Sequence, residues 1–141
     1  MSKNQKSPNE FSRCIKLYTN ASVVAGQPVK VGAVLGTAVS AEDSDGYTVV
    51  DVGPMASYEH SVRNVTAYNG GTEQTYAAVT QGKKIYYDPS STMPTGVYLS
   101  TSAEDKDEAA TTLFGKYIGA SRTTATVKTE TLCEILQDKG A

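Results

Sequence analysis

Apolar residues in this chain recur mostly at every second position, in short runs broken by Gly, Pro, Asn and Asp, and that spacing belongs to β-strands. In "FSRCIKLYTN", residues 11–20, Phe11, Ile15 and Leu17 share one face and Ser12, Lys16 and Tyr18 the other, with Arg13 as a polar intrusion on the first. "AGQPVKVGAVLGTAVS" turns at 26–28 and continues through small and β-branched residues from 29 to 39. "EDSDGY" then sets Asp45-Gly46 between two apolar runs. Both residues tolerate positive φ, so a hairpin is predicted here, with its return strand over 47–52 and Gly53-Pro54 closing it.

The same pattern carries through the second half. "MASYEHSVRNVTAYNGG" alternates around Tyr58, Val62 and Val65 and stops at Asn69-Gly70-Gly71. "TYAAVTQGKKIYYDP" reads as a short strand, a turn at Gln81-Gly82 and a second strand over 84–87, ended by a proline that cannot donate to a ladder. "TGVYLSTS" is another short strand. In "TATVKTETLCEIL", Val127, Thr129, Thr131, Cys133 and Ile135 alternate with Lys128, Glu130 and Glu134, the cleanest two-residue period in the chain. Against this background "AEDKDEAATTLF", residues 103–114, is a candidate helix with Ser102 as its cap, or else a charged surface loop.

Short strands at close spacing predict an all-β fold: a single small β-barrel or β-sandwich with at most one short helix. Its domain spans 11–136, preceded by a flexible polar arm over 1–10 and followed by a tail over 137–141. No internal repeat is visible. At 141 residues the chain can own a real core without metals or disulfides.

Composition narrows the function classes. The net charge of −2 gives no general basic character, which argues against non-specific nucleic-acid binding. No apolar run approaches the roughly 20 residues of a membrane span, and "MSKNQKSPNE" lacks the apolar core of a signal peptide, so synthesis in a cytoplasm without export is expected. Cys14 and Cys133 are then expected as reduced, partly buried thiols. Nine Tyr beside two Phe and no Trp favour positions with one side packed and the hydroxyl wet, among them interfaces.

Candidate chemistry is sparse. Gly32 and Gly36 lie four apart and precede another strand, so they fit neither a dinucleotide fingerprint nor a P-loop. They are read as scaffold, permitting close backbone approach or a bulge. His60 is the one histidine, and in a strand its neighbour Glu59 faces the opposite way, which leaves no metal site and no cofactor site to assign. Any nucleophile–histidine catalysis would have to converge on residue 60. The acids at 42–45 and 104–108 do not match a calcium loop. No catalytic, cofactor-binding or metal residue is therefore nominated.

Three segments in order resemble the small capsid cement, or head decoration, proteins of tailed bacteriophages, a family long catalogued as a domain of unknown function. The family pattern is a "Gly-x-x-Val-x-x-Gly" strand pair, a "Gly-x-x-Val-Tyr-Trp-Asp"-like central strand, and a terminal "Ile-Gly-x-Ala … Val-x-Val-x-Leu" pair. Here these are Gly26, Val29 and Gly32 with Ala38; then Gly82, Ile85, Tyr86, Tyr87 and Asp88; then Ile118, Gly119 and Ala120 followed by Val127 and Leu132. The match covers most of 20–136 and departs from the pattern at Tyr87, where Trp is common, and in a longer acidic insertion at 103–110. The resemblance implies a non-enzymatic structural protein on the outside of a virion, bound to the major capsid protein, self-associated as a homotrimer and independent of nucleic acid, membrane and cofactor. Lys3, Lys6 and Phe11 of the arm, with Tyr86 and Tyr87, are the expected partner-contact residues. The competing expectations are a virion-surface module for host glycan or protein, marked by exposed Tyr at loop tips, and an enzyme with a polar pocket at His60.

Overall fold

The computed structural model describes residues 13–66, 68–69, 72–73, 76, 78–88, 96–103, 111–122 and 129–138. Their fold is all-β, with eleven strands: β1 (Cys14–Tyr18), β2 (Pro28–Val31), β3 (Val34–Ala38), β4 (Tyr47–Asp51), β5 (Ser57–Arg63), β6 (Tyr68–Asn69), β7 (Thr72–Glu73), β8 (Lys84–Tyr87), β9 (Leu99–Ser100), β10 (Thr112–Tyr117) and β11 (Thr129–Gln137). β1 to β4 form a four-stranded sheet in the order β1-β4-β3-β2. β10, β11, β5, β9 and β8 close into a five-stranded barrel, and β6 pairs with β7. The barrel is antiparallel except for β5 beside β9.

The run from 29 to 39 is a hairpin. Gly32, at φ +59°, is the first of two central residues between Val31 and Val34, the placing a type II′ turn requires. Gly36 is the close-approach glycine: a Cβ there would strike the Asp51 carbonyl and the Val50 side chain of β4. The Asp45-Gly46 reversal is present, but Gly46 is the last residue of the turn, not one of two at its tip. Its N–H donates to Asp43 O at 3.1 Å, and the Asp43 carboxylate accepts the N–H groups of Asp45 and Tyr47 at 2.9 Å each. The return strand β4 pairs with β3 through only Thr37 and Ala38, and along its whole length with β1.

Register decides what each face of the sheet meets. Thr37 lies between Pro28 and Asp51, on the face with Leu35; Ala38 lies opposite Val50, on the face with Gly36 and Val29. Leu35 joins the barrel core of Val62, Val79, Ile85, Leu99, Phe114, Tyr117, Cys133 and Ile135. The other face packs Val29, Ala38 and Val50 against Val23 of the preceding loop, with Leu17, Val31 and Val52 at the margin. The sheet is thus clamped between its own loop and the barrel, and β1 overhangs.

Three expectations differ from the structure. Residues 112–114 of the candidate helix are the start of β10, and Ser102, the expected cap, is buried and takes the Ser100 hydroxyl on its carbonyl at 3.3 Å and the Thr111 hydroxyl at 3.1 Å. Thr111 N–H also donates to Ala103 O at 2.9 Å, so the ends of the acidic insertion at 104–110, which lies outside the described residues, are tied together. The alternation in β11 breaks at a bulge. Glu130 pairs with Val62 and Cys133 with His60, three residues on one strand against two on the other, with Leu132 at φ +59°. The extra residue reverses the face upstream of it, so Glu130 is buried at 6 % exposure, while Leu132, within the bulge, is 68 % exposed. Finally, β11 runs to Gln137, one residue into the expected tail, and Gln137 is buried.

Candidate functional site

The densest polar constellation lies where the sheet meets the barrel. Asp51 ends β4 with its carboxylate buried and three donors on it: Tyr58 O–H to Oδ2 at 2.6 Å, and the N–H groups of Arg13 and Gly53 to Oδ1 at 2.9 Å each. Gln137 reaches in from the end of β11, its Nε2 donating to Asp51 O at 3.0 Å and to Gly53 O at 2.9 Å. That fixes Oε1 as an acceptor, which takes the Thr37 hydroxyl proton at 2.7 Å. Thr37 has a single proton, so its 3.0 Å contact with His60 Nε2 is one in which the imidazole donates. His60 therefore carries a proton on Nε2.

Burial keeps the ring neutral, lowering the His60 pKa to about 3 by desolvating the cation. The ring stands edge-on to Phe114, with centroids 5.6 Å apart, and lies beside Tyr58 at 6.2 Å. A nucleophile–base pair requires the hydroxyl to donate to the imidazole. Here the bond runs the other way, because Gln137 takes the hydroxyl proton. The network joins the sheet to the barrel.

Beside His60 is a cleft of about 290 Å³, walled by the 24–28 loop, floored by Glu59, His60 and Ser61, and closed by Tyr98 and Leu132. Its rim carries two exposed aliphatics, Val24 and Leu132. A shallower depression over the turn at Gln81-Gly82 is lined by Lys83, Lys84, Tyr86 and Thr101.

A second cluster surrounds Glu130, which the bulge turns inward to meet Arg122, with Cys133 Sγ 3.9 Å from the same carboxylate oxygen. Burial first, then the Glu130 charge, pushes the Cys133 thiol up to about 11, so it is protonated at neutral pH. Cys14 is exposed and Cys133 fully buried; both are free. Among the described residues no three His, Cys, Asp or Glu side chains group as a metal site, and no helix is long and apolar enough to cross a membrane.

Of the expected contact residues, Lys3, Lys6 and Phe11 lie outside the described residues. Tyr86 and Tyr87 are neighbours on β8 and so face opposite ways. Tyr87 packs against the barrel core and stacks on Tyr98 with centroids 6.4 Å apart; Tyr86 lines the outer depression. They do not form one patch. The exposed aromatic pair is instead Tyr18 and Tyr47, edge-to-face at 5.2 Å across the β1–β4 ladder, with the Lys16 ammonium 5.2 Å from the Tyr47 centroid. Sequence reasoning missed it because the pairing joins segments from different hairpins. Thr37, Asp51 and Gln137 were missed too: a lone Thr or Gln in a strand looks the same whether it is solvated or buried.

No protein-family model, no curated protein and no solved structure matches the chain.

Proposed function

We propose that this chain is a structural protein of a tailed-phage particle, which binds the outer surface of the capsid and stabilises contacts between major capsid subunits. One observation carries the reading: three motifs resembling the cement family occur in the family's order, and residues of the first two occupy turn and core positions, while in the third Leu132 is exposed and Val127 lies outside the described residues. Gly26, Gly32 and Gly82 hold turns at φ +89°, +59° and +88°; Val29 and Ile85 are core residues; Asp88 is buried at the end of β8. A shared pattern of turn glycines and core residues is a signature of fold, as expected of a family without catalytic residues. The inward wiring of Thr37 and His60 supports the same reading, since the chain's one histidine is bound into the sheet–barrel joint.

The mechanism is additive. Each contact with the shell is weak, and a copy that touches two subunits gains effective concentration at the second contact. A protein that binds the assembled shell and not its free subunits stabilises the shell by mass action. The arm over residues 1–11 orders across a neighbouring subunit, with Lys3 and Lys6 on acidic capsid surface.

Mixing the purified chain with capsids assembled from the cognate major capsid protein alone tests this. Saturable binding at fixed stoichiometry, with a higher disruption temperature, is the expected result; capsids that neither bind it nor gain stability refute it. Deleting residues 2–10 should lower occupancy, and unchanged occupancy removes the arm from the mechanism. The Tyr18–Tyr47 pair favours a second reading, a virion-surface module in which these rings stack on a host glycan. Glycan-array binding lost in Tyr18→Ala would select it.

A further inference from the structure

β1 is an edge strand: β4 lies on one side and, among the described residues, no strand lies on the other. The ladder fixes which backbone groups look outward. Val52 N–H donates to Arg13 O and Thr19 N–H to Gly46 O, so residues 13, 15, 17 and 19 exchange bonds with the β4 side. The N–H and C=O groups of Cys14, Lys16 and Tyr18 therefore project from the free edge. Cys14, Ile15, Lys16 and Tyr18 are all exposed, so nothing among the described residues covers it.

Natural edges are blunted by proline, a bulge, extreme shortness or an inward charge. The opposite edge, β2, begins with Pro28 and has four residues. β1 has five in unbroken register, and its Lys16 is already occupied, 3.7 Å from Asp43 and over the Tyr47 ring. The strand is also electrically polar along its length. Arg13 is exposed at its start and carries no ion pair among the described residues. At its far end are Glu42, Asp43 and Asp45, with Glu42 Oε1 accepting from the Thr19 hydroxyl at 2.6 Å and the Ala21 N–H at 2.8 Å. A strand that starts basic and ends acidic complements a copy of itself laid antiparallel.

We infer that β1 docks a second copy of this chain, pairing with its partner's β1 across a two-fold axis to join two four-stranded sheets into one continuous sheet. Symmetry allows three registers within the strand, centred on Ile15, Lys16 or Leu17. Centring on Lys16 sets two ammonium groups directly opposite, which is unfavourable. Centring on Ile15 leaves Arg13 beside Leu17, short of the acids. Centring on Leu17 sets Leu17 against Leu17, Lys16 beside Tyr18, and Arg13 beside residue 21, whose N–H Glu42 holds. The Leu17-centred register is the one assigned. This pairing does not rest on the capsid reading, and it stands in place of the homotrimer that the resemblance implied; its test contains no capsid.

The test is sedimentation equilibrium of the full chain over a wide concentration range. The mass should rise from one chain to two and stop there, and salt should weaken the association. Lys16→Pro removes an outward N–H while leaving the β4 ladder intact, so it should stay folded by circular dichroism and remain one chain at every concentration. Arg13→Glu, at an exposed site, is the second probe, and should weaken association at least tenfold by facing Glu42 with a like charge. In a Cys14→Ser background, Leu17→Cys should cross-link under oxidation and Lys16→Cys should not. A chain that stays single, one that forms a trimer, or association unchanged by both Lys16→Pro and Arg13→Glu overturns the proposal; cross-linking at 16 instead of 17 overturns the register.

Discussion

His60 makes the stability of this protein fall in mild acid. In the unfolded chain its imidazole titrates near the ordinary value of about 6.5, whereas burial in the fold brings it to about 3. Below pH 6.5 the unfolded state therefore binds a proton that the folded state refuses, and stability drains away as pH falls towards 3. Between pH 7 and pH 5 the loss from this one group is about 2 kcal/mol, at roughly 1.4 kcal/mol per unit below the unfolded pKa. The Glu42 and Asp43 carboxylates, held below their ordinary range by hydrogen bonds, add an acid-linked loss of their own, but it begins only where unfolded carboxylates protonate, at about pH 4, below this window. Urea titrations at pH 7 and pH 5 measure it. Wild type should lose about 2 kcal/mol between the two, while His60→Gln, less stable at pH 7 for want of packing on Phe114, should lose little more on acidification. If the variant and wild type lose the same amount, the neutral buried imidazole is wrong.

Four other outcomes follow from the packing. Gln137→Leu strands the Asp51 and Gly53 carbonyls and frees Thr37, and should lower stability by about 3 kcal/mol in urea. Asn64 is fully buried and neither amide atom has a hydrogen-bond partner among the described residues, so Asn64→Leu should be neutral or stabilising, by about 1 kcal/mol on a melting curve. Gly36→Ala and Gly115→Ala each drive a Cβ into a neighbouring strand's carbonyl, that of Asp51 or Leu136, and should cost about 3 kcal/mol or prevent folding, read by soluble yield and melting temperature. A thiol reagent should label Cys14 in the native protein and Cys133 only after unfolding, counted by mass spectrometry.

Period-two patterning was a dependable guide wherever strand and burial agree. The strand over 84–87, the turn at Gln81-Gly82 and the scaffold role of Gly32 and Gly36 were all legible in it. It misled at β11, where a single extra residue at the bulge hides Glu130, because alternation carries no mark of a skipped pairing. It misled at 112–114 as well, where a charged stretch upstream lent helical colour to residues that a sheet claims. The candidate sites were less legible than the fold. A patch such as Tyr18 with Tyr47 exists only once β4 has chosen β1 over β3 as its main partner.

By itself the sequence determined the class of structure, since alternation, β-branching and turn residues act over a few neighbours and need no knowledge of partners. It also determined that His60 has no second histidine to work with. Tertiary structure alone decided that five strands close into a barrel while four stand apart, and that Thr37, Asp51, His60 and Gln137 meet at the joint between them. Thr37 and Gln137 are a hundred residues apart in the chain, and the free energy that unites them comes from burying faces that no local pattern records.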